Sequence, residues 1–284
     1  MAKIENYFDC ALAAKRLLEK SRNMELDRGE NPPKAKFVRG KKIITFAPHP
    51  DDEIMTGLLP LRLMAEKGWR VIDAAVSLGS NEARRKERAA ELGRACSYLG
   101  WKLDICGFER VRLSAKTESP KYWGKCVERL AAAIRREKPA AVMAPHRRDA
   151  NLAHMATSRM VCDALKLLGR DYGGFLIETE VWSGMARPNL LVEAGPRELG
   201  WLMTALSRHV KEVERNDYHA RMPSAFAENV RRGAEVVGGQ GGKAPKFDFG
   251  CIYAIKKFDG RAWRNFGKPK FAALDDDIEN IFKQ

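Results

Sequence analysis

This chain of 284 residues has no run approaching eighteen apolar residues, so no helical membrane span is expected. Its start, "MAKIENYFDC", carries Glu5 and Asp9 and no basic stretch followed by an apolar core. A secretory signal is therefore not expected, and the chain reads as cytoplasmic. Cysteine is sparse: positions 10, 96, 106, 126, 162 and 251 include no Cys-x-x-Cys pair. That spacing points to reduced core thiols rather than a zinc–thiolate site or a disulfide frame. Aromatic residues make up only 8% and are not interleaved with basic ones. With no zinc-finger spacing either, direct nucleic-acid binding is not expected. No internal repeat or low-complexity tract interrupts the chain.

What is present is a globular composition, 45% hydrophobic and 31% charged, with a net charge of +14. The positive excess favours anionic partners, including phosphorylated or carboxylated metabolites. The basic residues are dispersed, for example over 34–42, 84–94, 147–148 and 256–264.

Residues 5–25 have the period of an amphipathic helix, and "DRGENPPKAK" breaks it. We read 1–40 as an N-terminal helical extension and 41–284 as a single domain with a helix-rich C-terminal part. Within that domain, strand-like runs such as "KKIITFAP", "WRVIDAAVSLG" and "AAVMAPH" alternate with helical stretches. One helix is expected from Asp51 to a stop at Gly68, and another from Ser80 to a stop at Gly100. The alternation predicts an α/β, Rossmann-like, doubly wound and mostly parallel sheet with helices on both faces. "CIYAIKKF" is a late strand, and "GGQGGKAPKFDFG" is read as a surface linker.

Open parallel sheets bind ligands beyond the carboxyl ends of their strands. Two expected strands end there in Ala-Pro-His: "APHPDDE" at 47–53 and "APHRRDANLAH" at 144–154. His49 and Asp52, three apart at a strand-to-helix turn, can aim at one point, with His154 the natural third ligand. Two imidazoles and a carboxylate leave positions open on a catalytic zinc ion. Asp51, between the first two, is free to act as acid or base. An Asp-Asp pair at a helix start also serves simply as a cap, and Glu53 is assigned only to favouring that start. His146 alone reads as a structural histidine, and Arg147 and Arg148 as solvated unless an anion is near.

The strings "PHPDDE", "RAAELGRACSYLG" and "PHRRDANLAH" resemble the PIG-L/LmbE-like family of metal-dependent N-deacetylases. "ETEVWSGMARPNLLVE" and "ALSRHVKEVERNDY" are similar to its later segments, so the resemblance runs over about residues 40–260. It implies an LmbE-like fold and a zinc-dependent hydrolase that removes an acetyl or other acyl group from an N-acetylglucosamine-type amide. By this resemblance His49, Asp52 and His154 match the zinc ligands, and Asp51 the general base. Arg88 matches an arginine near the substrate, and His209 a histidine that approaches the acyl group, in some members from another subunit, which leaves a homo-oligomer open. The usual His-Pro-Asp-His is here Asn151-Leu152-Ala153-His154, so Asn151 stands where a catalytic histidine is expected and can only donate a hydrogen bond. His146 or His209 would then supply the acid, and His146, Arg147 and Arg148 would contact an anionic amino-sugar substrate. Two alternatives remain: a non-catalytic sugar or nucleotide-sugar binder, and a non-haem iron enzyme built on the same ligand types.

Overall fold

The computed structural model describes residues 4–26, 29–32, 40–109 and 111–283. Most of the basic run 34–42 lies outside them. In chain order the elements begin with α1 (Tyr7–Arg22), β1 (Lys42–Ala47), α2 (Asp52–Met55), α3 (Leu58–Lys67) and β2 (Arg70–Ala75). A 3₁₀ turn, Glu82–Arg84, leads into α4 (Arg85–Leu99), then β3 (Lys102–Ile105), α5 (Ala115–Glu118) and α6 (Pro120–Glu137). Next come β4 (Ala141–Pro145), α7 (Leu152–Leu168), β5 (Phe175–Thr179), β6 (Leu190–Ala194) and α8 (Pro196–Leu206). The chain closes with α9 (Val210–Arg215), α10 (Tyr218–Val236), β7 (Phe249–Phe258), β8 (Trp263–Asn265) and β9 (Lys270–Ala272).

The strands form one sheet in the order β3-β2-β1-β4-β5-β7-β6-β9, with β8 paired to β7. β3, β2, β1, β4 and β5 run parallel, as expected of the alternation. β7 enters antiparallel between β5 and β6, so the sheet is mixed at that end. β7 follows β6 through α8, α9, α10 and a glycine-rich loop, a connection long enough for either direction, so the sequence leaves its direction open.

β1 shows why the sheet holds. Ile43 packs into the core formed with α3, α4 and α8, while Ile44 and Phe46 pack into the opposite core with α6 and α7. That alternation is the period of two of a strand buried on both faces. Helix stops also follow the sequence: Gly68 and Gly100 adopt φ of 67° and 72°, the left-handed region that glycine enters without penalty. The helix expected from Asp51 to Gly68 is split at Thr56 and Gly57 instead. Tyr253 of β7 spans the split, its hydroxyl donating to Thr56 O at 2.8 Å and accepting from Leu59 N at 3.1 Å.

β1 and β4 are neighbours, and the chain leaves them in opposite directions, β1 toward β2 and β3, β4 toward β5. The crevice beyond their carboxyl ends is the topological switch point of the sheet. Both histidine-bearing loops emerge there.

Candidate active site

The turn after β1 brings His49 and Asp52 together. Asp52 Oδ2 accepts from His49 N at 2.9 Å and lies 3.2 Å from His49 Nδ1. From the other loop, His154 Nε2 lies 3.1 Å from the same oxygen. Donor atoms of all three residues fall within 4.8 Å of one another. Asp52 and His154 are buried, while His49 is partly open to the crevice.

His154 is held by a carboxylate that sequence reasoning passed over. Its Nδ1 donates to Asp149 Oδ2 at 3.1 Å, and Asp149 Oδ1 accepts from Trp182 N at 3.1 Å. Both side chains are fully buried. A carboxylate on Nδ1 fixes the proton there and leaves the Nε2 lone pair free. That Nε2 is a buried polar atom with no hydrogen bond of its own. Burial pulls the His154 pKa down, but Asp52 and Asp149 outweigh it and hold it up, so a positive charge between Nε2 and Asp52 is favoured, a second proton or a metal ion in that proton's place. A buried imidazole aimed at a carboxylate with a spare lone pair is a cation-binding arrangement, and the His-Asp-His donor set fits a zinc-type ion. The separations of 3.1 and 3.2 Å place both imidazoles on one oxygen of Asp52. The five-residue spacing from Asp149 to His154 was the signal available in the sequence.

Asp51 lies beside this set and lines the crevice. It has φ 108°, a conformation that side chains other than glycine's rarely adopt. Burial first, and then the Asp52 and Glu53 carboxylates, push its pKa well above the ordinary carboxylate range, against the pull of Arg88. Such a carboxylate is tuned toward proton exchange.

Glu53 is more than a helix-start residue. It is fully buried; Oε2 accepts from Asp51 N at 2.8 Å, and Oε1 pairs with His209 Nε2 at 2.8 Å. His209 is therefore committed to Glu53 behind the site and does not line the crevice. His146 is also turned to a structural task. It is buried, and its Nε2 donates to Ser183 O at 2.9 Å. Asn151 does line the crevice, but its Oδ1 accepts from Ala153 N at 2.8 Å and His154 N at 3.4 Å, capping α7. The residue in the place of an expected catalytic histidine fixes the helix that carries His154.

The crevice encloses about 660 Å³. Arg147 and Arg148 are exposed and do not line it. Its cationic groups are instead Arg88, Arg112 and Arg215, and Trp182 and Tyr218 supply aromatic walls. Those two rings meet edge to face with centroids 6.4 Å apart. Arg88 reaches the site past Gly79, whose φ of 90° favours glycine and whose lack of a Cβ leaves room for the guanidinium. Trp182 lies in the "ETEVWSG" segment and Arg215 and Tyr218 in "ALSRHVKEVERNDY", both similar to the family but with no role assigned to these three residues, while Arg112 sits in a loop with no local motif to mark it.

All six cysteines are free thiols, but only Cys96, Cys126 and Cys251 are buried; Cys106 and Cys162 are half-buried, and Cys10 is exposed instead of in the core. Among the described residues no helix is long and apolar enough to cross a membrane.

Residues 44–165 match the model of the GlcNAc-PI de-N-acetylase (PIG-L) family. No curated protein matches the sequence significantly. Among solved structures, the N,N'-diacetylchitobiose deacetylase of Pyrococcus horikoshii is similar in fold, with a TM-score of 0.57 at 17% identity, over 90% of this chain and 94% of that one. The zinc-inhibited form of a teicoplanin deacetylase gives 0.58 at 12% identity, over 77% and 99%. The 4-carboxy-2-hydroxymuconate hydratase of Pseudomonas putida gives 0.55 at 16%, over 80% and 100%. The fold is thus shared by deacetylases and by a hydratase, and the motifs must decide between them. Motif strings, sheet topology and family model coincide on the same loops: residues 44–165 match the PIG-L family, and the fold is that of LmbE-like deacetylases.

Proposed function

We propose that this protein is a metal-dependent N-deacetylase acting on an N-acetylglucosamine-type amide whose remainder carries an anionic group. The observation that carries the reading is the convergence of His49, Asp52 and His154 on one point, with Asp51 beside them at the open crevice. His49, Asp52 and His154 would hold a zinc ion, which supplies Lewis acidity for the amide carbonyl and makes a water more acidic. Asp51 takes the proton of the attacking water and, as the amide C–N bond breaks, returns it to the departing amine. One carboxylate serves both steps because neither His146 nor His209 reaches the crevice, and Asn151 has no proton to give. Trp182 and Tyr218 offer faces for a sugar ring. Arg112 and Arg215, the rim guanidiniums, take the anionic group.

The test is acetate release from a panel of N-acetylglucosamine derivatives, neutral, carboxylated and phosphorylated, by metal-stripped protein with zinc added back. Zinc-dependent release, highest with the anionic members and lost in Asp51→Asn, is expected. Tight zinc binding with no turnover, and sugar affinity unchanged in Asp51→Asn, would instead make the protein a binder. Hydration of an unsaturated carboxylic acid in place of amide cleavage would move it to the hydratase class.

A further inference from the structure

The peptide unit between Pro50 and Asp51 is gripped at both ends. Its N–H donates to Glu53 Oε2 at 2.8 Å, and its carbonyl accepts from Arg88 Nη2 at 3.3 Å. Neither gripping group stands alone. The other Glu53 oxygen is paired with His209 Nε2 at 2.8 Å, and both side chains are wholly buried. Arg88 Nε faces Glu212 Oε1 at 3.4 Å, and that carboxylate, also buried, is shared with Arg84 and Arg215 at 3.0 and 2.6 Å. His209 and Glu212 bracket the start of α9, where His209 O accepts from Glu212 N at 2.9 Å. One short segment therefore controls both ends of one peptide bond, from two different side-chain chains.

The geometry gives this clamp a purpose. Flipping a peptide unit changes ψ of the residue before it and φ of the residue after it. The Asp51 φ of 108° is a strained conformation for a residue with a Cβ. A flip of the 50–51 peptide relaxes that strain, and because the Asp51 nitrogen swings with the peptide it tilts the Cα–Cβ bond that carries the carboxylate. It also breaks both hydrogen bonds and leaves the buried Glu53 oxygen without its donor. From this we infer that His209 and Glu212 are positioning residues: through Glu53 and Arg88 they lock the Pro50–Asp51 peptide and so aim the Asp51 carboxylate into the crevice. The inference rests on Asp51 being the proton-transfer group of the proposed deacetylase.

His209→Leu removes the buried partner of Glu53, and His209→Gln keeps a donor near the position of Nε2. Each is compared with the wild type in three ways: zinc affinity, kcat and KM on the best N-acetylglucosamine derivative, and a crystal structure. His209→Leu is expected to lose on the order of 10²-fold in kcat, with KM and zinc affinity within threefold. His209→Gln should recover to within tenfold of the wild type. The leucine variant's crystal structure should show the 50–51 peptide turned and Asp51 at negative φ. Glu212→Gln loosens Arg88 without touching His209, so it should shift kcat in the same direction and stands in if the leucine variant does not fold. A leucine or Glu212→Gln variant with the peptide unmoved and kcat within twofold of the wild type would overturn the inference. A wild type inactive on the whole panel defeats the deacetylase reading, whereas the peptide's orientation in the variants still decides this one.

Discussion

Asp51 and Asp52 are adjacent aspartates with opposite surroundings, and the difference is set within a few ångströms. Asp52 faces two imidazoles; despite its burial, His154 and then His49 hold its pKa well below the usual carboxylate range. Asp51 faces other carboxylates and is pushed up. One is built to stay charged beside a cation, the other to exchange a proton. Asp51→Asn should therefore lower kcat by about 10²–10⁴-fold while bound zinc per chain stays at the wild-type level by atomic absorption. Asp149 acts one residue further out, through His154 Nδ1. Replacing it with alanine should weaken zinc affinity by about 10–100-fold in a chelator competition. An unchanged affinity would mean that His154 needs no orienting partner.

At the scale of elements, the site depends on how α2 and α3 meet. The helix expected through this region breaks after four residues, and β7, remote in sequence, covers the break with Tyr253. The hydroxyl satisfies a carbonyl and an amide that would otherwise be buried without partners. Tyr253→Phe removes both bonds and nothing else of the ring's packing. It should cost about 1–3 kcal/mol in urea unfolding, with the m-value unchanged. α3 is tied to the far edge of the sheet in a comparable way. The fully buried Arg62 donates to the carbonyls of Glu193, Ala272, Ala273 and Leu274. These two side chains tie the C-terminal strands and the segment after them to α3.

Over the whole molecule the net charge is +14, and Arg147 and Arg148 of the second histidine loop, expected to meet an anionic substrate, do not line the crevice. Part of that charge reaches the crevice instead as Arg88, Arg112 and Arg215. Elsewhere, basic side chains converge on single carboxylates that tie elements together. Glu137, at the end of α6, receives Lys102 of β3 at 2.7 Å and Lys42 of β1 at 2.9 Å. The Lys102 bond first, with Lys42 and Arg136 and against burial, lowers its pKa to about 2. A depressed carboxylate pKa contributes stability that is fully present above its unfolded value near about 4.3 and fades as pH falls toward the folded value. The melting temperature should drop between about pH 5 and 2, and Glu137→Gln should flatten that acid limb while lowering the plateau at neutral pH. An acid limb of the same slope in the variant would assign the pH dependence to other carboxylates.

The sequence alone determined the parallel half of the sheet, the two histidine loops and the residues His49, Asp51, Asp52 and His154. Each of these follows from local rules: strand period, glycine stops, and polar residues crowded at a strand end. Which side chains close around them was decided by tertiary structure. His209 and Glu53 are 156 positions apart and Arg84 and Glu212 are 128 apart, so no spacing announces either pair. The same holds for the antiparallel entry of β7, the arginines of the crevice and the turning of His146 toward Ser183. A side chain's partners depend on which helix folds back over which strand end. That is fixed by burying apolar faces across the whole sheet, a sum over contacts that no short motif carries.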